Sequence, residues 1–157
     1  MAKQKSDGEP VVATNRKALF NYEILERIEA GISLRGSEVK SVRANGLAFR
    51  DSYVEYKDGE MFLVGCHIGP YSHSNIQNHS EGRERKLLLH KREIAKLGGK
   101  ATERGLTIVP LKAYFKGGRV KLEIGLARGK QSHDKRESIK RKDIERDTRQ
   151  AVSARGR

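Results

Sequence analysis

The chain is 157 residues long and carries 33 Lys and Arg against 20 Asp and Glu, a formal net charge of +13, a balance that suits a polyanion as partner. No stretch approaches the roughly 18 consecutive apolar residues of a membrane span, and MAKQKSDGEP has no apolar signal core, so the expectation is a cytoplasmic protein with no membrane partner. The single cysteine, Cys66, excludes an internal disulfide and a cysteine zinc knuckle.

Only 36% of residues are apolar and mean hydropathy is −0.73, low for a chain packed from end to end, so part of it should lie outside any core. Residues 1–14, with Lys3 and Lys5 balanced by Asp7 and Glu9, read as a flexible leader. Residues 15–129 hold 21 basic and 13 acidic side chains with nearly all the aromatics, and read as the folded domain. Within it, Tyr22 to Leu34 alternates apolar and polar positions and predicts one long half-buried strand with a bend at Gly31. A short helix follows in SEVKSVRAN, with Ser37 as N-cap and Asn45-Gly46 as its stop. Phe49–Lys57 and Glu60–His67 predict a hairpin across Asp58-Gly59.

Residues 68–85 have no periodicity and read as a long loop, and a helix is expected from about Leu87 to Glu103, interrupted at Gly98-Gly99. Thr107–Lys116 and Arg119–Arg128 flank Gly117-Gly118 and predict a second hairpin. Five strands with a helix between the third and fourth is the order of an oligonucleotide-binding (OB-type) barrel. The fold class is therefore mainly β: a five- to six-stranded barrel with a few short flanking helices and a basic C-terminal tail.

Residues 130–157 form that tail, with ten basic and five acidic side chains. Its large apolar groups are Ile139, Ile144 and Val152, too few to offset the entropy of ordering 28 residues. The tail is expected to be disordered when free and helical on a partner, with Lys140, Arg141 and Lys142 suited to a phosphate-lined groove. The alternative is a solvated charge run that aids solubility.

Two features of the barrel point to RNA. Alternation places Val109, Leu111, Ala113 and Phe115 on one face of the fourth strand, and Ile108, Lys112, Tyr114 and Lys116 on the other. Tyr114 would then sit among Lys112, Lys116, Arg119 and Lys121, stacking on a base while the cations hold phosphates, or else cover neighbouring aliphatic stems. A second basic cluster, Arg83, Arg85, Lys86, His90, Lys91 and Arg92, surrounds the leucines at 87–89 and is either an RNA surface or solvated helix. Catalytic constellations are thin. Cys66 and His67 are strand neighbours that point to opposite faces, and Cys66 reads as core. His73 and His79 have no third ligand at useful spacing, and no phosphate-binding glycine pattern occurs. The reading is a binder, not an enzyme, with no metal and no cofactor.

Asn15-Arg16-Lys17-Ala18, EAGISLRGSEVKSVR at 29–43, DSYVEYKDGEMFL at 51–63, RKLLLHKREI at 85–94 and IGLARGKQSHDKR at 124–136 closely resemble the small protein B family, the partners of transfer-messenger RNA in trans-translation. The likeness runs in order from Asn15 through Arg136 and weakens beyond it. It implies a barrel that grips the tRNA-like domain of transfer-messenger RNA, and a tail that enters the empty messenger channel of a stalled ribosome at the decoding centre. It also implies an indirect partnership with elongation factor Tu on the aminoacylated RNA, and a monomer.

Carried over position by position, Asn15, Glu29 and Leu88 match family residues associated with RNA binding. Each has a structural alternative: Asn15 a helix cap, Glu29 a lysine's partner, Leu88 a core residue. With the cations and Tyr114, the expected RNA-binding set is Asn15, Arg16, Lys17, Glu29, Lys86, Leu88, Lys112, Tyr114, Lys121, Arg128 and Lys130. In the tail, His133, Asp134, Lys135 and Arg136 match the family's junction motif, and Ile139, Lys140, Arg141 and Ile144 complete the expected ribosome-binding set. The competing functions are a general barrel-type RNA chaperone or ribosomal protein, and an RNA-processing enzyme.

Overall fold

Along the computed structural model, which describes residues 10–71, 79–103, 105–130 and 132–155, the elements run β1 (Val11–Thr14), α1 (Arg16–Asn21), β2 (Tyr22–Ile32), α2 (Gly36–Arg43), β3 (Leu47–Ala48), β4 (Tyr53–Lys57), β5 (Glu60–Val64), β6 (His67–Ile68), β7 (Arg85–Leu88), α3 (Lys91–Ala101), β8 (Leu106–Lys116), β9 (Arg119–Gly129) and α4 (Ser132–Arg155). Each strand hydrogen-bonds to the next in the series β8, β4, β5, β7, β2, β9, and β9 pairs back onto β8. This closes a six-stranded ring of antiparallel pairs and leaves it without a free end. β3 and β6 form a separate two-stranded pair.

β2 has the length to serve two neighbours. It pairs with β9 from Tyr22 to Gly31 and with β7 at Gly31 and Ile32, so the switch falls at the glycine where the bend was expected. Both predicted hairpins form, β4 with β5 and β8 with β9. The second turns through Gly117 and Gly118 at φ of 58° and 76°, a left-handed pair that glycine adopts without steric cost. Inside the ring lie Met61, Leu63, Leu87, Ile108, Leu122 and Ile124, while Leu97 of α3 joins them. Each such side chain contributes roughly 1.5–3 kcal/mol by leaving water.

Five sequence expectations are corrected. Val11–Thr14 is not leader: it pairs with β8 opposite Lys112–Tyr114, and residues 1–9 lie outside the described set. Arg85–Leu88 is strand rather than the run into a helix, with Arg85 and Leu87 inward and Lys86 and Leu88 outward. The helix begins at Lys91 and continues through Gly98-Gly99 without a break. Helix α2 is capped not by Ser37 but by the Glu38 carboxylate, which accepts from the Arg35 backbone N–H at 2.9 Å.

The fifth correction is to the alternation of β8, which a bulge between Pro110 and Lys112 breaks. Ile108 and Ala113 point into the main core, whereas Val109 and Leu111 join Ala18 and Ala127 in a second, smaller cluster under α1. The tail is helical in this structure, as α4, and its Ile139 and Ile144 are 47% and 65% exposed.

Candidate nucleic-acid interface

Pairing of β2 with β7 and β9 brings three of the expected RNA-binding residues to one place. Glu29 and Gly31 share a face of β2, Gly31 pairs with Lys121 of β9 on one side, and it pairs with Leu88 of β7 on the other. Leu88 is 54% exposed, so it is not core. A side chain at position 31 would meet the Leu88 Cβ at 3.1 Å, and the glycine lets that leucine lie close over the strand. The result is a groove of about 230 Å³ with Ile32, Leu34, Val39 and Leu88 as its apolar wall and Arg119 and Lys121 as its cations. Such a groove can hold an unstacked base while the cations face its phosphates.

Glu29 is not part of the lining but stands beside it, two residues before Gly31 on the same face of β2, with its carboxylate held by hydrogen bonds. Tyr114 Oη donates a hydrogen bond to Oε2, and Lys116 Nζ lies 3.3 Å from Oε1. The Tyr114 hydrogen bond, opposed by partial burial and helped by Lys116 and Lys121, holds the carboxyl below the usual range, so it is ionised and accepting at neutral pH. Tyr114 itself is only 6% exposed. It is therefore not a stacking platform on an open basic face. Its ring lies in the barrel wall under Lys112, whose Nζ is 5.6 Å from the ring centroid and 3.4 Å from Glu123.

Asn15 is also turned inward. It caps α1 by accepting from the Ala18 N–H at 3.2 Å, and its Nδ2 donates to Pro110 O at 2.8 Å while its own N–H donates to Leu111 O at 2.7 Å. One side chain thus satisfies a helix start and a carbonyl of the β8 bulge. Lys17, two residues on, is bridged to Asp51. These residues, with Asn21, Arg50 and Tyr53, line a second groove of about 240 Å³.

Arg16 and Lys130 lie at a third place, the root of the tail. With Leu19 and Phe20 of α1 and Arg141 and Lys142 of α4 they line a groove of about 270 Å³, and Lys142 sits 5.8 Å from the centre of the Phe20 ring. The remaining expected cations are spread out. Lys86 pairs with Glu60 at 2.8 Å on the outside of β7, and Arg128 lies 3.8 Å from Glu23. Arg136, Lys140 and Arg141 are exposed along α4, and the side chains of His133, Asp134 and Lys135 lie outside the described residues.

The basic cluster expected around residues 83–92 is divided by the fold. Arg85 is fully buried and Arg83 half-buried, and both hydrogen-bond to the fully buried Glu38. Arg85 Nη1 also donates to Cys66 O at 2.8 Å and Arg83 O at 3.0 Å, and Nη2 to Glu81 O at 3.0 Å. These arginines hold the inside of the molecule, and only Lys86, His90, Lys91 and Arg92 of that cluster remain outside. His79 is likewise internal, between Ser37 Oγ at 2.9 Å and Ile68 O at 2.8 Å, and His73 lies outside the described residues. Sequence reading missed the Glu38–Arg85 pair; its one signal was the inward period-two position that Arg85 shares with Leu87.

A closed antiparallel barrel with a cation-rimmed apolar groove, joined to a charged helix, defines a nucleic-acid-binding barrel protein of the oligonucleotide-binding type. The family model described as SmpB protein matches residues 12–154. The SsrA-binding protein of Oleidesulfovibrio alaskensis is 51% identical over 152 residues, covering 97% of this chain and 98% of that protein. The SsrA-binding protein of Staphylococcus epidermidis is 49% identical over 155 residues, covering 99% of each. A chain from a solved structure of tmRNA-SmpB, described as a journey to the centre of the bacterial ribosome, superimposes with a TM-score of 0.66. It is 47% identical, and the match covers 83% of this chain and 94% of that one. The chain belongs to the SmpB protein family.

Proposed function

We propose that the chain is the RNA-binding adaptor of trans-translation, with the barrel for the tRNA-like domain of transfer-messenger RNA and the tail for the ribosome. The observation that carries the first half is that Leu88 and Lys121 line one groove with Glu29 beside it on the same face of β2, so that a hydrogen-bond acceptor, an apolar contact and a cation are neighbours. Bare attraction to phosphate would need only the cation. An ionised carboxylate repels phosphate and accepts from base amino groups or 2′-hydroxyls, so the site is built to read a folded RNA. For the second half, support comes from α4, which carries charge around its whole circumference and exposes its two isoleucines.

In this reading residues 15–129, with β1 (Val11–Thr14) added to them, are the RNA-binding barrel and residues 130–157 an arm, disordered when free, that becomes helical in the empty messenger channel. Arg16, Lys17, Lys86, Lys112, Arg128 and Lys130 add phosphate contacts around the barrel. His133, Asp134, Lys135 and Arg136 act at the junction near the decoding centre, and Ile139, Lys140, Arg141 and Ile144 act within the channel. Asn15 acts through the shape of α1 and the bulge beneath it. The protein works as a cytoplasmic monomer without catalysis, and meets elongation factor Tu through the aminoacylated RNA.

Truncation after Gly129 tests the division. The expected result is transfer-messenger RNA affinity within about threefold of the full chain, with peptide tagging on stalled ribosomes abolished. Loss of both activities, or of neither, overturns it. Equal affinity for the tRNA-like domain and for a duplex of the same length, at matched salt, would favour a general RNA chaperone instead.

A further inference from the structure

We propose that Tyr114 is a positioning residue for RNA recognition: buried in the barrel wall, it holds the Glu29 carboxylate at the angle from which that group reads its RNA donor. The inference rests on the reading of Glu29 as an RNA-contacting group. A glutamate on a strand has three rotatable side-chain bonds, and an exposed one samples many directions. Glu29 is restricted, because Oε2 accepts from the hydroxyl of a buried ring.

Three features hold that ring in place. Tyr114 is 6% exposed, its ring is covered by Lys112, and its strand neighbours on either side are the register partners Ala113 with Leu122 and Phe115 with Val120 of β9. Glu29 in turn lies opposite Glu123, the residue that pairs with Arg27 at 2.8 Å and with Lys112 at 3.4 Å. The charged groups facing Glu29 are therefore Lys116 from β8, and Lys121 and Glu123 from β9. The lysines attract the carboxylate and Glu123 repels it, but neither fixes an orientation as a single O–H bond does. A carboxylate has about four acceptor positions. With one filled by Tyr114 and Lys116 at the edge, acceptor capacity remains for a donor entering from the groove.

The phenol matters for what it does to Glu29, and Tyr114→Phe removes one oxygen and nothing else. Because Glu29 is itself exposed, water can replace the lost donor and the fold should survive. The full chain is titrated with a transcript of the tRNA-like domain and with a duplex of equal length, in wild type, Tyr114→Phe, Glu29→Gln and the double variant. We expect Tyr114→Phe to weaken tRNA-like domain binding about tenfold, to leave duplex affinity unchanged, and to add nothing in the Glu29→Gln background. The carbon-13 signal of the Glu29 carboxyl should titrate at higher pH in Tyr114→Phe than in wild type, which a role confined to packing would not produce. If Glu29→Gln binds normally, the RNA role of Glu29 falls, and this inference with it. If Glu29→Gln is weak while Tyr114→Phe is silent, additive in the double variant, or without effect on the carboxyl titration, the positioning role alone is overturned.

Discussion

Arg85 and Glu38 meet at 2.6 Å with both side chains fully buried, tying β7 to α2 across the inside of the molecule. Burial pushes the Glu38 carboxyl up, and hydrogen bonds from Arg83, the Arg35 backbone and Arg85 together outweigh it, so the group is held below the usual range. Removing one partner leaves the other charge buried and unpaired. Arg85→Met or Glu38→Leu alone should each cost about 3–5 kcal/mol in urea unfolding, and the double replacement less than the sum. A single replacement that costs nothing would mean the pair is not buried in solution.

The same carboxylate gives a pH dependence with a definite sign. A carboxyl whose folded pKa is depressed contributes stability above its unfolded value and loses it as pH falls through the folded one. The urea midpoint of the wild type should therefore drop between about pH 6 and pH 3, and Glu38→Gln, less stable throughout, should show a shallower drop.

Asn15 offers a separate test, since its amide serves a helix and a strand at once. Asn15→Asp keeps the acceptor for the Ala18 N–H but loses the donor to Pro110 O, and sets a carboxylate against a carbonyl. Asn15→Ala loses both. Each should lower stability by about 1–3 kcal/mol, measured by thermal unfolding. Any loss of RNA affinity should be recovered by Asn15→Ser less fully than stability is, because serine caps the helix but does not reach the bulge.

Adjacent glycines in α3 should behave oppositely. A Cβ at Gly99 meets nothing within 4 Å, so Gly99→Ala should stabilise by about 0.5–1 kcal/mol through helix propensity. A Cβ at Gly98 would stand 2.8 Å from the Tyr56 ring, and Gly98→Ala should forfeit that gain or become destabilising. Melting temperatures of the two variants decide it, and equal shifts would show that Tyr56 moves aside freely.

Cys66 is a reporter of opening. Burial pushes its thiol up to about 11, with the Arg85 charge opposing and Glu38 assisting. Iodoacetamide labelling at about pH 8 should be slower than for a free thiol by a factor that tracks global stability, and Arg85→Met should accelerate it.

What the sequence displays and what it hides follow from local physics. Period two over the last hairpin, and its glycine pair, are local signals, and the strands formed where expected. β7 was hidden because three consecutive leucines carry no period, and the charge of the arginine at its inward end is met by Glu38, 47 residues away. On β8 the alternation was carried through as two unbroken faces, whereas a bulge between Pro110 and Lys112 shifts it, and one carbonyl of that bulge is held by Asn15, 95 residues upstream. The nearness of Glu29 to the groove that Leu88 lines is likewise a product of strand pairing, so their joint role came from resemblance rather than spacing.

Helix α4 has one mechanical consequence. Its cations and acids are distributed around the axis, and its isoleucines, five residues apart, define no seam. A helix with a single apolar stripe settles at one rotational angle against its support, as a key does in a lock. α4 has no apolar seam to set such an angle, so under the proposed function its place in a phosphate-lined sleeve would be gauged by depth, as a plunger's is, rather than by rotation.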